Sequence, residues 1–537
     1  MNLFYLEGKL SRNENLKQRD NGAVSGAFSL TVSAIIVKVI GLIYKIPLSH
    51  LLGGEGMGYF NSAYTVYGLF YLLCTAGVPK AVTMLVLESR EGRSRYTEKQ
   101  VIKTSMRLFF ILGLSLTGAF VIFSGPLATI IGSSRARATM LAVAPSVLLV
   151  SVAGVVRGYL SAGMSFLEVA VSQVLDGVGK LVFGLIFAYY GYTHEFKSEL
   201  VSAFTILGVT LGALVSLVYL LIVSKIKNTE QKTEQKLSSL ERKEIRKRIF
   251  GISLPITLSA AVMSIGNIID LFIIMRRLAD GGYTELEATA LYGHYTTLAV
   301  PMLNFAISLI TPVSVAFLPI LIKGRVNSDG IYSDRARKDA LSLTALLSAP
   351  LVFGISAFSS EILTMLFGKE GVSVGAPLLR LIMPALAFLS VLLVVNTSLE
   401  AAGSVRAPIL SMLVGSLAKV LISYFLISNS DFGISAAPIG TVVSYALSLA
   451  CSLLYALKKH RMNFPIFKTH ILPYLDAALS VLCARAIYFK LLLSLNDTVA
   501  LCASGMLFCV IYMILSLLCG TVSVKKIKNM AFCTKRA

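Results

Sequence analysis

Three lysines, Lys38, Lys45 and Lys80, stand in the first two apolar stretches of a strongly apolar chain. A charge at membrane depth costs about 2.5–3.5 kcal/mol on insertion scales, so each calls for a reason. Lys38 and Lys45 are nearly two helical turns apart and share a face. Lys80 directly follows the breaker Gly77-Val78-Pro79. Grouped ammonium ions suit an anionic ligand, whereas a lone lysine more simply reaches an interface or a buried carbonyl. Two further lysines, Lys180 and Lys419, fall at mid-depth. Asp176 precedes Lys180 by four residues, the favourable orientation for an intrahelical ion pair, so a self-neutralised structural pair competes with a binding role. Lys419 has no acid at that spacing, which makes it the better binding candidate of the two. Asp270 suits a counter-ion or a coupling site for sodium or a proton, with Arg276 and Arg277 as simpler partners. His294 titrates near neutral pH in water, but a hydrogen-bonded structural histidine accounts for it equally. Arg157 and Glu400, at comparable span ends, read as loop anchors.

Breakers accompany these charges. Gly41, Pro47, Gly77, Pro79 and Pro255 are candidate hinge or gate positions, because a proline frees a carbonyl and bends a helix where it lines a cavity. Static kinks accommodated by neighbouring helices are the plainer alternative.

The elements that position these groups are apolar helices. Mean hydropathy is +0.77, with 55% hydrophobic and 14% charged residues, outside the range of a soluble domain. Fourteen apolar stretches are long enough to cross a bilayer as helices, at about 24–48, 59–87, 104–125, 138–160, 166–190, 199–224, 249–275, 289–322, 339–367, 375–402, 407–428, 432–457, 471–489 and 498–520. Most of the 49 Lys and Arg fall in alternate gaps, including nine between Lys225 and Arg248. Cytoplasmic loops accumulate such residues, so both termini are expected in the cytoplasm of a multi-pass protein of the bacterial plasma membrane. Arg135, Arg137, Arg276 and Arg277 fall in gaps expected to face outward, against this pattern. The net charge of +21 thereby reads as topology signal and anionic-lipid contact, with no nucleic acid. Residues 1–22 lack the apolar core of a cleaved signal peptide. Seven cysteines show no metal-ligand or CxxC spacing, so neither a disulfide framework nor a zinc site is expected.

The expected fold is an all-α polytopic membrane protein of 14 transmembrane helices, as two parallel six-helix lobes plus two extra C-terminal helices. The segments are a cytoplasmic N-terminus (1–23), an N-lobe (24–224), a basic linker or surface helix (225–248), a C-lobe (249–457), spans 13 and 14 with their preceding loop (458–520) and a basic tail (521–537). The lobes are related in sequence. Leu160-Ser161-Ala162-Gly163 precedes Lys180, and Leu399-Glu400-Ala401-Ala402-Gly403 precedes Lys419 at nearly the same spacing. An even number of spans per half gives a parallel repeat about the membrane normal.

No catalytic constellation is present. A Walker A loop, HExxH, GxSxG and paired carboxylates are all missing, so neither an enzyme nor an ATP-driven pump is expected. A secondary transporter or flippase with a cationic interior remains.

The sequence resembles the polysaccharide-transport and stage V sporulation protein B group of the multidrug/oligosaccharidyl-lipid/polysaccharide exporter superfamily, which also holds the lipid II flippases. The resemblance rests on Lys38-Val39-Ile40-Gly41, Leu51-Leu52-Gly53-Gly54-Glu55-Gly56-Met57-Gly58-Tyr59 and Gly77-Val78-Pro79-Lys80-Ala81. Arg157-Gly158-Tyr159, Ser172-Gln173-Val174, Ile269-Asp270 and Leu291-Tyr292-Gly293 continue it. Where that group typically continues its Ser-Gln segment with Glu-Gln, this chain has Asp176-Gly177. The resemblance implies two lobes about a cavity open alternately to either side, with a lateral opening near spans 1 and 8. It also implies a lipid-tail groove at spans 13 and 14 and headgroup-binding roles for Lys38, Lys45 and Lys80. The expected activity is a monomeric flippase moving a lipid-linked anionic substrate, an undecaprenyl-pyrophosphate peptidoglycan precursor or polysaccharide unit, from inner to outer leaflet. No cofactor beyond an unidentified coupling cation is expected. The alternatives are a cation-coupled multidrug exporter of the same superfamily and a non-transporting scaffold for wall or spore-coat assembly.

Overall fold

A computed structural model describes residues 2–227, 238–326, 330–404, 406–493 and 496–519. The middle of the expected linker, the basic tail and Cys533 lie outside the described residues. All described elements are helical, with no strand among them. By contact the chain divides between Phe272 and Ile273 into an N-terminal and a C-terminal unit.

The N-terminal unit opens with α1 (Asn2–Thr75), which joins two predicted spans in one element. Their junction is Gly53, whose φ of 63° is costly for any residue with a Cβ. Then come α2 (Val78–Arg90), α3 (Glu98–Ile131), α4 (Arg137–Val143), α5 (Pro145–Ala162), α6 (Phe166–Thr193), α7 (Ser198–Lys227) and α8 (Ser239–Asp280), whose residues from Ile273 onward belong to the C-terminal unit. A capping box of Thr97 and Gln100 starts α3, and Gly132 at φ 81° stops it. Pro145 at the start of α5 splits the fourth span.

The C-terminal unit follows with α9 (Glu285–His294), α10 (Val300–Val326), α11 (Gly330–Ala357), α12 (Ser359–Phe367), α13 (Val372–Ile382), α14 (Pro384–Ala401), α15 (Arg406–Leu426), α16 (Ala436–His460), α17 (Leu472–Leu491) and α18 (Asp497–Leu518). Pro384 splits its span at the start of α14, as Pro145 does at α5. The added helices α17 and α18 pack on α11 and α12 through Phe358, Tyr488 and Phe508. Tyr512 donates to the Leu346 carbonyl at 3.1 Å.

Among the described residues, twelve stretches are long and apolar enough to cross a membrane. The first, Ile36–Arg90, has 55 residues, more than twice what one crossing needs, and contains the Gly53 break. With that stretch divided and α8 included, the count is consistent with fourteen crossings. The outer surface is apolar: Ile122 is 72% exposed, which suits acyl chains rather than water.

Residues 239–248 of the basic stretch are the first turns of α8 and are docked on the N-terminal unit. Ile245 and Ile249 are buried among Val82, Leu85, Tyr96 and Leu220. Tyr96 donates to Glu244 at 2.6 Å, and Arg248 pairs with Glu88 at 2.8 Å.

Candidate functional site

The N-terminal unit holds a polar layer where α1, α6 and α7 meet. Small residues let these helices approach. A Cβ added at Gly208 would strike the backbone of Gly184, and one at Gly212 would lie 2.6 Å from the Asp176 carbonyl oxygen. Close backbone approach through small residues is the usual means of joining helices in lipid, where hydrophobic burial gives no preference for helix over tail.

Into this seam project Lys180 and Asp176, joined at 2.7 Å one turn apart on α6. Their side chains are only 20% and 13% exposed. The second oxygen of Asp176 accepts no hydrogen bond among the described residues. Facing the pair, α1 carries a run of rings: Tyr44 contacts Phe60 at 6.2 Å between centroids, Phe60 stacks on Tyr64 at 6.0 Å, and Tyr67 lies 5.8 Å from both Tyr64 and Tyr71. Residues 60, 64, 67 and 71 recur at three- and four-residue steps, one helical face. Tyr64, Tyr67 and Tyr71 lie within electrostatic reach of the Lys180 ammonium. The result is a cation held by an acid and fringed by phenols, able to bind an anion only in competition with Asp176.

The predicted residues are placed as follows. Lys38 is exposed on α1, while its neighbours Val37 and Ile40 press on α6 opposite Gly177. Lys45 is half-buried and donates to the neutral Asn61 amide oxygen at 3.5 Å. Lys80 is exposed at the start of α2. Asp270 is half-buried near the end of the N-terminal unit. Lys419 is half-buried in the C-terminal unit, on the seam where Gly415 and Ser423 of α15 meet Ser444 and Gly440 of α16. The structure therefore brings Lys180, Asp176 and the tyrosines together, and leaves Lys38, Lys80 and Lys419 outside that group.

Among the breakers, Pro47 and Pro255 lie inside continuous helices. Gly41 has open space where a Cβ would stand. Gly77 does not: a Cβ there would meet the Ser253 carbonyl and the Thr257 hydroxyl of α8. Pro79, at the start of α2, is crossed closely by Gly158 of α5. The Gly77–Pro79 elbow is thus clamped between two helices.

Arg157 does not anchor a loop. It lies within α5 and donates from Nε to the Ser172 hydroxyl at 3.1 Å and from Nη2 to the Ser216 hydroxyl at 3.0 Å. Its partners are 15 and 59 residues away, so nothing local in the sequence signals this bridge. The tyrosine face is written in its three- and four-residue spacing, but an aromatic stripe at that spacing usually marks packing. Glu400 is exposed at the end of α14. His294 is half-buried, with its ring against Gly371. Among the described residues, no three His, Cys, Asp or Glu side chains gather closely enough to hold a metal.

Comparison with known proteins matches residues 48–507 to the family model described as lipid II flippase MurJ. Stage V sporulation protein B of Bacillus subtilis (strain 168) is 24% identical over 430 residues, covering 79% of this chain and 81% of that protein. The lipid II flippase MurJ of the same organism is 23% identical over 462 residues, covering 81% and 82%. Among solved structures, an inward closed conformation of lipid II flippase MurJ superposes with a TM-score of 0.68 at 15% identity, over 91% of this chain and 98% of that one.

Proposed function

The chain belongs to the lipid II flippase MurJ family, and from that premise we propose that it carries a lipid-linked oligosaccharide diphosphate from the inner to the outer leaflet by alternating access. The substrate we assign is an undecaprenyl-pyrophosphate peptidoglycan precursor. The protein acts as a monomer in the bacterial plasma membrane, with both termini cytoplasmic. The observation that carries the reading is the charge balance of the N-terminal unit. Lys38 is exposed, and the buried Asp176 is already paired with Lys180. That balance favours an anion over a cationic drug, which needs an open carboxylate.

The energetics agree. A diphosphate carries about two negative charges, and the cell interior is negative. Full outward passage is favoured by about 4.6 kcal/mol at ~100 mV, from ~2.3 kcal/mol per charge. No coupling ion is then required to give the step direction. The test is a leaflet-accessibility assay in proteoliposomes with a short-chain lipid diphosphate sugar, with and without an imposed potential. Protein-dependent movement that speeds up with the inside negative supports the reading. Movement no faster than in empty vesicles overturns it.

A further inference from the structure

The two units build the same polar triad from different residues. In the N-terminal unit, Arg157 of α5 reaches Ser172 of α6 and Ser216 of α7, and the Ser216 hydroxyl donates to the Ser172 carbonyl at 2.7 Å. In the C-terminal unit, the Ser452 hydroxyl of α16 donates to Asn396 of α14 at 2.8 Å and lies 2.6 Å from the Ser411 hydroxyl of α15. The registers correspond. Pro145 and Pro384 start α5 and α14 at the same distance before Arg157 and Asn396. Lys180 and Lys419 follow Ser172 and Ser411 at the same interval. Ser172 donates back to Val169 and Ser411 to Pro408, both three residues upstream.

The C-terminal triad is an internal control. It shows that three helices can be tied at this point by a neutral amide, as hydrogen bonds tie helices in lipid generally. The guanidinium is therefore not required by the tie, and its charge costs energy in the membrane. Arginine carries five N–H donors in a rigid fork, and the serines take two. The bonds of Arg157 to described residues go to the two serines and to no carboxylate, and its side chain is half-buried. A guanidinium fixed on one edge and open on the other is suited to a phosphate oxygen pair.

We propose that Arg157 is an anion-binding residue of the N-terminal unit, taking a phosphate of the diphosphate-linked lipid on the open edge of its fork. This rests on the flippase reading above for the identity of the ligand, but not for the anion chemistry.

The test uses the full-length protein in neutral-lipid nanodiscs. Affinity is measured for undecaprenyl diphosphate, for uncharged undecaprenol and for inorganic pyrophosphate. Arg157→Gln keeps an amide that can reach the serines and removes the charge. Arg157→Lys keeps the charge but spans only one serine. The expected result is at least tenfold weaker lipid-diphosphate binding in R157Q, unchanged undecaprenol binding and a near-native ligand-free Tm. R157K is expected to keep most of the affinity at a lower Tm. Wild-type affinity in R157Q, or weaker binding in R157K than in R157Q, overturns the proposal and leaves the flippase reading standing. If R157Q does not accumulate, R157K decides alone: affinity within about threefold of wild type supports the proposal, and loss to background overturns it. Arg157-dependent binding of inorganic pyrophosphate without binding of the lipid overturns the flippase reading and keeps the anion site. Wild-type protein that binds neither overturns both.

Discussion

Lys180 and Asp176 form a 2.7 Å ion pair on one turn of α6, and at the matching turn of α15 the lysine persists as Lys419 while the acid is replaced by Gly415. The lysine is common to both seams, and the acid belongs to one. Removing one member of a buried pair leaves an uncompensated charge at a cost of about 3–5 kcal/mol, whereas replacing both by apolar groups is often neutral. Asp176→Ala is therefore expected to lower thermal stability and accumulation sharply. Asp176→Leu with Lys180→Met is expected to recover most of the loss. Size-exclusion thermal stability of the purified variants checks this, and equal losses in the single and double variants would contradict a structural pair.

The seam itself predicts a glycine contrast. At Gly212 a methyl group would meet backbone atoms, the Asp176 carbonyl oxygen at 2.6 Å and the Lys180 nitrogen at 2.8 Å, so no side chain can turn aside to admit it. Overpacking of this kind costs about 1–3 kcal/mol. At Gly41 nothing lies within 4 Å of the same methyl. Gly212→Ala is expected to lower the melting temperature, and Gly41→Ala to leave it unchanged or raise it, as alanine is the better helix former by about 1 kcal/mol. If Gly41 flexes during transport, the second variant loses turnover without losing stability, which a paired assay of flipping and melting separates.

The start of α8 gives a third expectation. Ile245 is 1% exposed against the N-terminal core, and truncation of such a residue costs about 2–5 kcal/mol. Ile245→Ala is expected to free the first turns of α8, read as faster proteolysis after the basic stretch. Tyr96→Phe removes the hydrogen bond to Glu244 and acts more mildly, by about 1.5–3 kcal/mol at most for a bond to a charged group. The Glu244 carboxylate holds the Tyr96 hydroxyl above the usual phenol range. A pKa raised in the folded state means that the bond's contribution is complete below the phenol's ordinary value near 10 and fades as pH rises through the folded one. The stability gap between wild type and Y96F should thus stay constant from pH 7 to about 10, and narrow only above it.

The sequence carried the spans and the Lys180–Asp176 pair because both are written in short-range terms: apolar length for the first, four-residue spacing for the second. It carried the repeat only as a loose match around Gly163 and Gly403. The firmer correspondence, Arg157–Ser172–Ser216 against Asn396–Ser411–Ser452, joins residues tens of positions apart and differs in the residue that gives it meaning. Arginine near a span end ordinarily snorkels to the interface, so its position alone gives Arg157 a loop role. Two serine hydroxyls on neighbouring helices turn it inward instead. Residues 239–248 of the basic stretch, read from composition as part of a linker or surface helix, are helical and form the start of α8. The charges of the stretch dominate its composition, while Ile245 and Ile249, which dock it, are only two residues among many.

Lys38 offers the most direct test of the anionic substrate. It is exposed, its neighbours Val37 and Ile40 make the packing contact with α6, and no ion pair among the described residues depends on it. Substitutions at exposed positions without such features usually change stability by less than about 0.5 kcal/mol. Lys38→Ala should therefore accumulate and melt like wild type, so that any loss of flipping reports on the charge alone. A phosphate held by an ammonium group in a partly dehydrated site is worth about 1.5–3 kcal/mol for the charged hydrogen bond, or roughly ten- to a hundredfold in rate if that contact forms on the transport path. Lys38→Arg restores the positive charge and should recover much of the rate, whereas Lys38→Gln should not. Rates in proteoliposomes under a fixed inside-negative potential, compared across the three variants at equal protein density, make the comparison. Full turnover in Lys38→Ala would remove Lys38 from the substrate path.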